Sequence, residues 1–128
     1  MKEVFGVPTF IDDLFEYEPF RRSGKLLGSV IDLCVRNIDE LDAEMGPVLV
    51  MYGRRHYHRY TQGFHLKYVP IFVKCMSEFV DANINEGGRT TEIEGGWHSL
   101  FDYIASKIVE GVHLERHRNH STRRKSVF

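Results

Sequence analysis

Apolar residues recur at steps of three and four along almost the whole chain, and that spacing dictates helices. From Pro19 to about Asp39, Phe20, Gly24, Leu27, Ile31, Val35 and Ile38 share one face, while Arg21, Arg22, Lys25, Asp32 and Arg36 mark the other. Gly24 and Gly28 weaken this helix by about 1 kcal/mol each relative to alanine. They also allow a flat group or a second helix to come close to the backbone. Residues 37–46 are polar and acidic and read as a solvated connection. A second helix is expected from Pro47, a residue suited to a first turn because its missing N–H is not needed there. A third is expected from about Leu66 to Ala82, with Tyr68, Ile71, Phe72, Cys75, Met76, Phe79 and Val80 as a broad stripe suited to a central buried helix. A turn at 83–88 precedes a fourth helix, which the capping-box spacing of Thr91 and Glu94 starts and which runs to about Glu110 with Trp97, Leu100, Phe101, Ile104 and Ile108 inward. The fold class is therefore all-α.

The two ends differ from this middle. Residues 1–18 hold Phe5, Phe10 and Phe15 with Gly6 and Pro8 as breakers, and the restriction that Pro8 places on Val7 argues against one continuous helix. They read as a compact aromatic corner. Residues 113–128 carry Arg116, Arg118, Arg123, Arg124 and Lys125 with His113, His117 and His120 and little to bury, so a basic, disordered tail is expected.

A chain of 128 residues has the size of one domain. A formal net charge of -1 supplies no global attraction to nucleic acid or to membranes, and the basic residues show no interleaving with aromatics on a sheet. No apolar run is long enough for a membrane span, and the first ten residues lack the apolar core of a signal peptide, so the cytoplasm is the expected location. Cys34 and Cys75 sit in apolar runs and read as small buried hydrophobes of a reducing compartment, with a disulfide between them as the alternative.

One polar residue interrupts the apolar pattern in a telling place. Leu49, Tyr52 and His56 lie on one face of the second helix, so an imidazole ends a short apolar stripe, followed by Tyr57, His58 and Arg59. A histidine there is a hydrogen-bonded core residue, a titrating surface group or a ligand. His58, two residues on, points to a different side and is a poor alternative to it.

The run YGRRH at 52–56, with LGSVIDLCVRNIDEL before it and WHSLFDYI after it, resembles the globin family, in which a short helix presents a histidine to haem iron. The likeness is to the divergent globins of invertebrates and to neuroglobin-like chains. It covers roughly residues 5–112 and lacks the first two helices of that family, which implies an amino-terminally shortened globin-like domain over 1–112 ahead of the 113–128 tail. It further implies haem b held at iron by His56, with dioxygen or another diatomic gas as the partner in oxygen binding, transport or sensing. The lining implied by the resemblance is Phe5 (or Phe15), Leu27, Tyr52, Phe64, Val69, Phe72 and Ile104 (or Phe101). At the distal position the alignment puts Ser23, where most of the family has histidine or glutamine. A short hydroxyl reaches bound dioxygen poorly or through water, so haem chemistry on nitric oxide, nitrite or peroxide, which needs a usable distal acid or base, is a weaker expectation. The alternative from another class is a haem-free helical module that uses its surface to bind a partner.

Overall fold

A computed structural model describes residues 18–83 and 91–126. Four α-helices and two short 3-10 helices account for its regular structure: α1 (Glu18–Arg36), a 3-10 turn (Ile38–Glu40), α2 (Leu41–Tyr57), a second 3-10 turn (Tyr60–Gln62), α3 (Tyr68–Asn83) and α4 (Thr91–Ser126). The described residues contain no strand, and no helix among them is long and apolar enough to cross a membrane. The expected aromatic corner, Phe5 included, lies outside the described residues, as does most of the 83–88 turn.

The centre of the molecule is the crossing of α2 and α4, where two glycines allow backbones to touch. A Cβ placed on Gly53 would collide with the Ile108 carbonyl, and one placed on Gly111 would collide with the Val50 carbonyl and the Arg54 amide. Gly24 and Gly28, the residues that the sequence suggested for close approach, have nothing within 4 Å of such a Cβ. The approach that the small residues of α1 would permit is therefore made by a different pair.

Above the crossing, Cys34 of α1, Met45 and Leu49 of α2, and Leu100 and Ile104 of α4 form the main core, with Leu49 and Cys34 at 0% exposure. Phe101 is also buried and stacks on Trp97 at 5.9 Å between ring centroids. Below the crossing, Phe64 and Val112 form a second cluster with Tyr57, Tyr60, Leu66, Tyr68 and Val69 around them.

Several boundaries differ from those expected. Helix α2 begins at Leu41 and not at Pro47, because Leu41, Met45 and Leu49 one turn apart all reach the main core, and Asp42 and Glu44 suit the positive end of the helix. Pro47 is consequently inside the helix; it and Ala43, whose carbonyl loses its amide partner, are both on the exposed side. Asn37 ends α1 by donating its side-chain amide to the Leu33 carbonyl at 2.8 Å, so the expected helix to Asp39 becomes a helix and a 3-10 turn.

The basic tail was expected to be disordered, yet α4 continues as one helix to Ser126. Its reason is burial and pairing beyond Glu110: Val112 is fully buried, and Glu115, Arg116 and Asn119 find partners at the end of α2 and in the loop after it. Helix α3 is peripheral and not central, since Val80 is its one buried residue among those described. Its Cys75 is exposed while Cys34 is buried, and both are free thiols, so the disulfide alternative does not hold. A side-chain hydrogen bond ties α3 to α4 at their edge, between His98 Nε2 and Asp81 at 3.0 Å. Tyr103 donates its hydroxyl to Asp42 at 2.6 Å beside Lys107; burial first, and then the bond to Asp42, push its phenol up to about 12.

Candidate functional site

The last turn of α2 and the loop behind it hold the densest group of chemically capable side chains. Tyr52 is one turn before His56, and the imidazole folds back along the helix so that Nδ1 lies 2.7 Å from the Tyr52 carbonyl oxygen. A carbonyl only accepts, so Nδ1 carries the proton and, in the neutral ring, Nε2 carries the lone pair. Burial pushes the His56 pKa down, against the raising effect of the Tyr52 carbonyl, and the positive charge of Arg59 adds to the lowering. The imidazole is thus held neutral, in one tautomer, at neutral pH.

This has a measurable consequence. In a titration followed by imidazole carbon-bound proton signals, His56 is expected to have its midpoint below the ordinary value of about 6.5. The unfolded chain then binds the proton more readily than the folded one, so this residue's contribution to stability is complete above the unfolded midpoint and falls as the pH drops below it. A midpoint above the ordinary value would contradict the burial seen here.

Phe64 meets the imidazole edge to face, with centroids 5.3 Å apart and planes at 64°. The loop delivers it there by a left-handed residue: Gly63 has φ 96°, a conformation that glycine adopts without strain, and the Phe64 amide returns to the Arg59 carbonyl at 3.0 Å. Tyr60 is the hub behind it, meeting Phe64 and His65 edge to face and Tyr57 at a tilt. The carboxy-terminal half of α4 locks this aromatic loop in place. Arg116 donates to the Tyr60 hydroxyl at 2.9 Å, Asn119 donates to the Tyr57 hydroxyl at 3.1 Å, and Glu115 pairs with His58 at 3.1 Å. His58 therefore faces α4 and not the side that His56 takes. Arg54, next to the glycine crossing, has a buried Nε with no hydrogen-bond partner among the described residues.

Of the residues that the resemblance assigned to a haem pocket, His56 and Phe64 come together at this end of α2, with Val69 packed in the Phe64 cluster and the Tyr52 carbonyl, though not its ring, on the imidazole. Ile104 is buried, but in the main core beside Leu49, with Tyr52 packed against the same cluster. Leu27 of α1 and Phe72 of α3 are only partly buried, and both clusters are built without them. Phe5 is outside the described residues, and Ser23 is described in its backbone alone. Val112, Arg116 and Asn119 were not foreseen here, because the last helix was expected to end at about Glu110 and Arg116 and Asn119 fell in the tail. Their spacing of four and three was the available signal that the helix continues.

No family model, curated protein or solved structure matches this chain.

Proposed function

We propose that this chain is a globin-like haem protein that binds dioxygen or another diatomic gas at iron held by His56. The observation that carries the reading is the state of that imidazole: neutral, half-buried, its Nδ1–H tied to the Tyr52 carbonyl and its Nε2 left with a lone pair. A carbonyl that accepts from the other ring nitrogen, fixing the tautomer and aiming the donor nitrogen, is what a metal-ligating histidine needs. A single fixed imidazole suits a metal that brings its other ligands with it, as haem iron does. The donor chemistry of the site therefore fits the group.

His56 would hold haem b by Nε2, and Phe64 and Val69 would supply apolar surface next to it. Bound haem would supply an iron atom able to bind a diatomic gas. The chain's own part is to keep the imidazole deprotonated at Nε2, to limit its rotation between the Tyr52 carbonyl and the Phe64 edge, and to keep water from this side. The pairing of Arg116 and Asn119 with the Tyr60 and Tyr57 hydroxyls anchors the loop that carries Phe64.

The test is titration of the full chain with haem, followed by absorption in ferric, ferrous and carbon monoxide forms. Saturation at one haem per chain, with a Soret band that moves on adding carbon monoxide, is the expected result. A folded chain that takes up no haem would sink the reading. It would leave a haem-free helical interaction module, which the exposed Ile71 and Phe79 on α3 favour.

A further inference from the structure

The outer face of α3 is apolar where a lone helix would be polar. Ile71 is 52% exposed, Phe79 is 62% exposed and Cys75 is exposed between them, one turn from each. The opposite face of the helix, with Phe72, Val73, Met76, Ser77 and Val80, is the one turned inward. An exposed Ile–Cys–Phe stripe on an amphipathic helix marks an interaction surface.

We propose that this face is covered by α3 of a second copy, antiparallel about a two-fold axis at Cys75. The stripe reads nearly the same in both directions, because Ile71 and Phe79 stand equally far from Cys75. A two-fold axis there sets Ile71 against Phe79 of the partner subunit and the reverse, as a self-complementary interface requires. The charges agree with this. Lys74 and Glu78, both exposed, lie on one flank of the stripe, and in an antiparallel pair like flanks face each other. Each Lys74 therefore stands beside Glu78 of the partner subunit. A parallel pair would set unlike flanks together and lose both bonds.

The small residue at the centre fits a close crossing. Axes about 10 Å apart, with Cα atoms about 2.3 Å from each axis, leave about 5 Å between the two central Cα atoms. That distance lies within the range of a disulfide. Cys34 is buried, so Cys75 is the thiol that an oxidant reaches.

Sedimentation velocity of the full chain, from low to high micromolar concentration, is the direct measurement, and a concentration-dependent dimer is expected. Ile71→Glu/Phe79→Glu should weaken the dimer about a hundredfold or more, since two central apolar anchors are replaced on each side. Lys74→Glu should weaken it about tenfold, and Lys74→Glu/Glu78→Lys should restore it. With diamide, which is reduced to its hydrazine as two thiols join, the reduced protein should form a covalent dimer. That product should vanish in Cys75→Ser and form much more slowly in Ile71→Glu/Phe79→Glu. Circular dichroism checks that these surface variants keep their helices. A monomer at every concentration would overturn the proposal, as would a dimer indifferent to the Ile71→Glu/Phe79→Glu change or one that the charge exchange fails to restore. The proposal does not depend on haem, so its failure leaves the function proposed for His56 untouched.

Discussion

Gly53→Ala and Gly111→Ala are each expected to destabilise the protein by about 2–3 kcal/mol, while the same change at Gly24 or Gly28 is expected to stabilise it. Alanine is favoured over glycine inside a helix by about 1 kcal/mol, and at Gly24 and Gly28 nothing lies within 4 Å of the added methyl to oppose that gain. At Gly53 the methyl would meet the Ile108 backbone, and at Gly111 it would meet the backbone at Val50, Gly53 and Arg54. Backbone cannot swing aside as a side-chain end can. The helices must separate along their whole contact, and overpacking in such places costs about 1–3 kcal/mol or more. Leu49 and Ile104 above, and Val112 below, lose contacts in the same movement. For an m-value of about 2 kcal/mol per molar urea, the midpoint should fall by about 1 M or more at the crossing. It should rise by a few tenths of a molar on α1. Equal effects at the four positions would mean that α2 and α4 do not meet at these glycines.

The helical class was legible because it rests on local periodicity, and the periodic runs over 19–39, 66–82 and 91–110 each fall mainly within one helix of the structure. What the sequence obscured was decided by long-range contacts. Pro47 looked like a beginning, but the burial of Met45 one turn before Leu49 extends the helix past it. The basic stretch after Glu110 looked like a solvated tail, since charge counts weigh Arg116 as polar without showing the Tyr60 hydroxyl that it meets. On α3 the periodicity was right and its meaning was not: Ile71, Cys75 and Phe79 make an apolar stripe, yet it faces outward.

The candidate site was legible to a similar depth. The i, i+4 relation of Tyr52 and His56 could be counted along the chain, whereas the group that orients the imidazole is a backbone carbonyl and leaves no trace in residue identity. Phe64 was named in the implied lining, and the left-handed turn at Gly63 just before it explains how the loop brings it to the imidazole. Arg54 gave no sign that its guanidinium nitrogen is buried. Neither did Glu115, whose partner His58 is distant in sequence.

If His56 is the iron ligand, its removal should be felt in haem binding far more than in folding. His56→Gly takes away the imidazole and leaves Tyr52, Phe64 and Val69 in place, so the helical circular dichroism should be retained. Loss of the group that orients a ligating histidine weakens metal binding about 10–100-fold, and loss of the ligand itself should exceed that, lowering haem affinity by a hundredfold or more. Free imidazole added to the variant should enter the space vacated by the side chain and restore the wild-type ferric spectrum; the carbon monoxide adduct should recover with it. The pH dependence should separate this from a general loosening. Protons compete with iron for Nε2, and burial makes His56 a weaker base than free imidazole. The wild-type protein should accordingly keep His56 on iron to a lower pH than the imidazole-rescued variant keeps its added imidazole, which must be deprotonated in solution before it binds. A His56→Gly spectrum identical to wild type, with no response to imidazole, would move the ligand elsewhere in the chain. Unchanged affinity with an unchanged midpoint of acid release would remove His56 from the site altogether.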